Sequence, residues 1–238
     1  MTFDIVTIFP AMVEAGLAEG VVGRACRSGL LDVAVHDLRA FTTDRHHVVD
    51  DMPFGGGPGM VMKAEPFHLA VEAIRARRGV PGRVVLTTPA GRRFDQAAAE
   101  QMAGAAGVTW LCGRYEGVDE RLVEAVGAEE WSIGDYVLSV GELPALVMLD
   151  AVARLVPGVV GDERSVTNDS FSAGQLDYPH YTRPAVWRGR AVPEVLLSGH
   201  HGAIERWRRE VAEARTRARR PDLLSGAPQL VEGKGEDR

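Results

Sequence analysis

The sequence predicts an α/β fold, a parallel sheet flanked by helices, followed by a small, mainly helical C-terminal domain. Three observations carry this. Residues 3–38 read strand, helix, strand, the unit from which parallel sheets are assembled. Short apolar runs then recur, each stopped by a glycine- or proline-bearing turn and separated by stretches of helical spacing. The last quarter instead holds one long amphipathic run crowded with arginines.

Taken in order, Phe3–Phe9 alternates and then runs apolar until Pro10, which predicts a buried strand. Met12, Leu17, Val21, Val22 and Ala25 give residues 11–28 helical spacing, with Gly29 as the stop. Val33 and Val35 alternate within a second strand, Leu31–Leu38. Residues 42–60, TTDRHHVVDDMPFGGGPGM, are too polar and too rich in glycine for either element, and a loop of that length in a compact domain is commonly functional. Lys63–Arg78 is a helix with Pro66 near its start and Gly79 after its last arginines. Arg83–Thr88 is a strand cut off by Pro89-Ala90-Gly91, and Phe94–Ala106 an alanine-rich helix. Val108–Cys112 is a buried strand that stops at Gly113-Arg114-Tyr115-Glu116-Gly117, and Val118–Val126 a short helix. The same grammar returns at Trp131–Ile133, Gly134-Asp135, Tyr136–Val140 and Gly141-Glu142-Leu143-Pro144, before an apolar helix over Pro144–Val156. Within it Asp150 and Arg154 stand at i, i+4, the spacing of a helix ion pair. Pro157–Gln175 is polar and loop-like, and its Asp169-Ser170 would suit a helix cap. Gly202–Arg220 turns Ile204, Trp207 and Val211 inward and arginines outward, and Pro221 ends it.

Composition narrows the function. With 238 residues, 45% hydrophobic and 25% charged, the chain can bury a real core and carries no apolar run of membrane-spanning length, about 20 residues. The start, MTFDIVTIFP, has an acid where a signal peptide carries bases, which predicts a first strand in a cytoplasmic protein. Cys26 and Cys112 lie too far apart in sequence for a metal knuckle, and a disulfide scaffold is not expected. GGGPG is not followed by Gly-Lys-Ser/Thr, so it is no phosphate-binding loop; His46, His47, Asp50 and Asp51 are adjacent, and adjacent residues seldom converge on one ion. Residues 183–220 hold ten arginines against four glutamates, +6, which leaves −12 on the rest of a chain whose net charge is −6. That asymmetry fits a polyanion-binding appendage on an acidic body; a solvated helix face is the other reading. Tyr178, Tyr181, Trp187 and His180 interleave with those arginines, as in RNA-facing segments.

Glycine at several strand ends lets a flat ligand lie against main chain. No activated serine or cysteine and no paired-carboxylate motif accompanies these turns.

Four stretches sharpen this. GRYEGVDER (113–121), SIGDYVLSVGELPALV (132–147), DSF with LDYPHYTRP (169–171 and 176–184) and PFGGGPGMVM (53–62) together resemble the TrmD family, the bacterial tRNA (guanine-N1)-methyltransferases of the knotted SPOUT type. The resemblance runs from Phe3 to about Leu224. It implies a C-terminal trefoil knot in the sheet domain, a homodimer with the active site at the subunit interface, tRNA as substrate, S-adenosylmethionine as donor and a magnesium ion whose ligands the sequence does not identify. It implies Asp169 as the base that takes the guanine N1 proton and Arg154 as the partner of O6. Cofactor contacts carry over to Pro89, Gly113, Glu116, Ile133, Gly134, Tyr136, Leu138, Gly141 and Pro144, with Tyr136 and Leu138 also readable as core packing. Asp50, in the long loop, is the implied substrate contact. One position departs: where the family reads Gly-Gly-Glu-Leu-Pro, this chain has Val140-Gly141-Glu142-Leu143-Pro144, which strains the backbone if that site needs positive φ and narrows the pocket if it does not.

The expected organisation is a catalytic, cofactor-binding domain over 1–160, a flexible linker over 161–175, a basic helical tRNA-binding domain over 176–224 and a disordered tail over 225–238. Two rival readings remain at this stage: a knotted RNA methyltransferase with another target atom, and an RNA- or nucleotide-binding module that kept the pocket without turnover.

Overall fold

The computed structural model describes residues 1–79, 82–161 and 169–224. The expectations for the tail over 225–238 and for 162–168 of the linker fall outside the described residues. The chain divides into two compact units, Met1–Glu163 and Arg164–Arg238.

The first unit runs β1 (Thr2–Thr7), α1 (Pro10–Leu17), α2 (Gly20–Arg27), β2 (Asp32–Asp37), a 3-10 turn (Leu38–Phe41), β3 (Asp50–Asp51), β4 (Val61–Met62), α3 (Ala64–Arg78), β5 (Arg83–Arg93), α4 (Gln96–Ala103), β6 (Gly107–Cys112), α5 (Arg121–Val126), β7 (Glu129–Ser132) and α6 (Glu142–Ala153). Five strands form one sheet in the order β2-β1-β6-β5-β7, and every pairing in it is parallel. Because side chains alternate across a strand, the three central strands β1, β6 and β5 serve two cores. Phe3, Ile5, Val85, Val108, Trp110 and Cys112 join Met148, Leu149 and Val152 of α6. Val6, Val84, Leu86 and Leu111 join Phe67, Val71 and Leu122 of α3 and α5. Each fully buried side chain of this size stabilises by about 1.5–3 kcal/mol.

Several boundaries differ from expectation, each for a local reason. The helix expected over 11–28 is two helices, because Glu19 is extended and Gly20 takes φ +69°. The long loop is not wholly irregular: Asp50↔Met62 and Asp51↔Val61 pair as an antiparallel ladder that closes 52–60 into a hairpin tip. Pro89 does not end its strand. β5 leaves register after Thr87 and rejoins β7 at Arg92↔Trp131 and Arg93↔Ser132, so residues 88–91 form an excursion between two paired segments. The apolar run 136–140 is not a strand; its one ladder-type pairing is an isolated bridge between Val140 and Arg114.

The second unit holds a hairpin, β8 (Val186–Trp187) with β9 (Arg190–Ala191), a single-turn α7 (Glu194–Leu197) and the 19-residue α8 (His201–Arg219). Ala212 and Thr216 are its buried face, Thr216 Oγ1 accepting from the Leu176 N–H at 2.9 Å. Ile204, Trp207 and Val211 are half-buried, whereas Arg206, Arg209, Arg217 and Arg219 are exposed. No helix among the described residues is long and apolar enough to cross a membrane.

Candidate active site

Beyond the carboxyl ends of β5, β6 and β7 lies an open cavity of about 440 Å³, where ligands of open parallel sheets characteristically bind. Three chain segments wall it: 86–90 from β5 and its excursion, 113–118 after β6, and 130–144 from β7 to the start of α6. They are tied to one another directly. The Gly141 N–H donates to the Gly113 carbonyl at 2.9 Å, and Thr87 Oγ1 donates to the Gly141 carbonyl at 3.1 Å and to that of Leu111 at 3.3 Å. Only glycine fits at 141, since a Cβ there would stand 2.4 Å from Thr87 Oγ1 and 2.7 Å from the Gly113 nitrogen.

The glycine-rich hairpin is stitched to the same turn. The Glu116 N–H donates to the Met60 carbonyl at 3.1 Å, the Met62 N–H to the Gly117 carbonyl at 2.9 Å and the Asp119 N–H to the Met62 carbonyl at 2.9 Å. Gly59, at φ +82°, abuts the Glu116 side chain so closely that a Cβ would lie 2.4 Å from its Oε1. The hairpin bearing Asp50 is thereby anchored to the turn bearing Glu116.

All nine residues carried over as cofactor contacts line this one cavity: Pro89, Gly113, Glu116, Ile133, Gly134, Tyr136, Leu138, Gly141 and Pro144. Its lining carries Glu116, Glu120 and Glu130 against Arg114, a negative balance suited to a ligand with a cationic centre. Tyr136, Val137 and Leu138 are exposed, so they are cavity wall and not core. Val140 also lines it, and its φ is not among the positive values, so the strained alternative is set aside and the pocket-narrowing one stands.

The remaining candidates do not line the cavity. Asp50 is half-buried in β3, and Arg154 is the exposed C-cap of α6. Asp169 belongs to the second unit, where its carbonyl accepts from Ser172 and it borders a separate cavity of about 170 Å³ with Tyr178, Glu205, Arg208 and Arg209. Sequence reading missed Thr87, Glu120 and Glu130. Thr87 had a signal, a hydroxyl closing an apolar strand just before Pro89. Glu130 had none, because two acids at the head of β7 disguise it as loop.

Among the described residues no three His, Cys, Asp or Glu side chains converge as a metal would need. The cradle does fit S-adenosylmethionine: a glycine-floored cavity at strand ends, apolar on Pro89, Ile133, Leu138 and Pro144, with carboxylates on its lining.

A parallel α/β unit with a main-chain cradle at its strand ends defines a protein of the α/β class built to hold a small molecule. The chain matches the family model tRNA (Guanine-1)-methyltransferase TrmD over residues 1–226, and it belongs to that family. It is 55% identical to the tRNA (guanine-N(1)-)-methyltransferase of Geobacter metallireducens over 227 residues, covering 95% of this chain and 92% of the relative. It is 56% identical to the Methylococcus capsulatus protein of that name over 225 residues, 94% and 90% of the two chains, and 55% to that of Halorhodospira halophila over 223 residues, 94% and 84%.

Proposed function

We propose that the chain transfers a methyl group from S-adenosylmethionine to N1 of the guanine immediately 3′ of the anticodon, position 37, in tRNA. The observation that carries the reading is the cavity that gathers Pro89, Gly113, Glu116 and the five candidate contacts within 133–141 from three separate strand ends. Bound there, S-adenosylmethionine supplies an electrophilic methyl on a cationic sulfur. Main-chain groups of 113–116 and 133–141 orient it, Pro89, Leu138 and Pro144 exclude water from its flat end, and Glu116 offsets the sulfonium charge.

Guanine N1 bears a proton at neutral pH and is a poor nucleophile until that proton leaves. Asp169 takes it, and Arg154 stabilises the negative charge that develops on O6. Base assistance of this kind is worth roughly 10²–10⁴ in rate. Asp50, on the hairpin anchored beside Glu116, contacts the substrate. A homodimer with its active sites between two chains completes the reading. Its support is the stripe Leu143, Val147, Asp150 and Arg154 on α6, four exposed residues on one face, two of them large and apolar. A knotted C-terminal part of the sheet domain belongs to the same reading and rests on the family resemblance alone. Magnesium finds no cluster among the described residues, and no step is routed through it. A cytoplasmic location follows from tRNA as substrate.

Radiolabelled methyl transfer tests the proposal. A tRNA with guanine at the target position should accept label, and the same tRNA with adenine there should not. Cofactor binding without transfer to either would leave a binding module and overturn the activity.

A further inference from the structure

We propose that Glu142, acting through Thr7, is a positioning residue for the methyl donor. The inference rests on the cofactor reading above. Glu142 opens α6 immediately after Gly141, and it is 1% exposed although it is an acid. Its Oε1 accepts from Thr7 Oγ1 at 2.5 Å, and Thr7 Oγ1 accepts in turn from the Phe9 N–H at 2.8 Å. Its Oε2 is buried and has no hydrogen-bond partner among the described residues. Half-satisfied buried carboxyl groups are costly, and an apolar side chain of similar volume would pack this site at less cost. Core packing therefore does not account for the residue.

What the hydrogen bond joins does account for it. Thr7 ends β1, and the Phe9 ring two residues on lies under the Arg114 guanidinium, 4.7 Å from ring centre to carbon. Arg114 is bridged to Val140, and Gly141 is bonded to Gly113 and to Thr87. The Glu142–Thr7 bond thus closes a ring of contacts running from β1 through the 113–116 turn to the start of α6 and back, fixing two cavity walls against each other. Glu142 stands in the first turn of α6, where unpaired backbone N–H groups leave partial positive charge. Cys112 beside it takes no proton from the network as a thiolate would, because burial first and the Glu142 charge second push its thiol well above the usual range.

The test uses the full chain, with calorimetric binding of S-adenosylmethionine, melting temperature and steady-state methylation of tRNA. Thr7→Ser keeps the hydroxyl and should behave as wild type. Thr7→Val should raise Kd and KM for S-adenosylmethionine about tenfold, with kcat changed less than about threefold and KM for tRNA unmoved. Thr7→Val/Glu142→Met removes the orphaned carboxyl as well, so it should regain melting temperature without regaining affinity; it reads the same point should the single variant fail to fold. The inference is overturned if the valine variant binds the donor like wild type, or if affinity returns with stability in the double variant. Wild-type protein that binds no donor would instead overturn the cofactor reading beneath it.

Discussion

Asp169 shows what a single side chain can reveal in sequence and what it cannot. Its identity followed from the DSF word, but a carboxylate acquires a role only through what it faces, and spacing carries none of that. The structure gives it a turn, with its carbonyl accepting from Ser172 Oγ at 2.5 Å, and neighbours in the second unit. Because the proposed cofactor contacts all lie in the first unit, base and donor sites separate in a simple experiment. Asp169→Ala should bind S-adenosylmethionine with unchanged affinity while single-turnover methyl transfer slows by roughly 10²–10⁴. Near-normal transfer would remove Asp169 from the role of base. Val140 is legible in the opposite way: sequence alone left two meanings for it, and a backbone angle chose between them.

Elements were read best where one physical signal dominated. Strands with buried apolar runs, β1, β5 and β6, were recognisable from those runs, and the edge strand β2 from its Val33/Val35 alternation; β7 begins with Glu129 and Glu130, which hide its start. The break between α1 and α2 was missed although Gly20, at φ +69°, marks it in the sequence, whereas the return of β5 after Pro89 was illegible, because it depends on pairing with β7 that only the fold supplies. The cavity is made by such partnerships. Gly141→Ala would drive a Cβ against Thr87 and Gly113, forcing the start of α6 off the 113–116 turn. We expect a loss of about 1–3 kcal/mol in denaturant unfolding, the usual cost of overpacking, and an S-adenosylmethionine affinity lowered at least tenfold in calorimetry. On the opposite face, Asp4 of β1 is buried and bonded to His36 of β2 at 2.7 Å, Arg77 at 2.6 Å and Arg78 of α3 at 2.9 Å. Burial raises its pKa, but the hydrogen bonds with His36 and Arg78 outweigh burial and hold the carboxyl below its ordinary value of 3.8. A carboxyl whose folded pKa is depressed stabilises the fold above its unfolded pKa and loses that contribution as pH falls through the folded value. Melting temperature should therefore drop below about pH 4. Asp4→Asn should cost about 3 kcal/mol at neutral pH by breaking a buried ion pair, and its acid-side decline should be shallower.

At the scale of the whole chain the organising quantity is charge. The first unit carries the acids and the cradle, while residues 183–220 carry +6 in a chain whose total is −6. That division was visible in the sequence, but which arginines are available to a partner was not, since helical spacing does not say which are occupied. Arg217 is held by Glu213, Arg208 by Glu205 at 2.7 Å and Arg220 by Asp222 at 2.6 Å. Arg206, Arg209 and Arg219 are exposed on α8. Phosphate contacts release counterions, so each one steepens the fall of log K with log salt on tRNA, by about 0.7–0.9. Replacing Arg206, Arg209 and Arg219 together by alanine should weaken tRNA binding and flatten that slope by roughly 2–3 if all three meet phosphate. Donor affinity should not change, because the proposed cofactor contacts lie in the other unit. An unaltered slope with intact donor binding would mean that these arginines only solvate a helix, and the tRNA surface would have to be sought elsewhere on the chain.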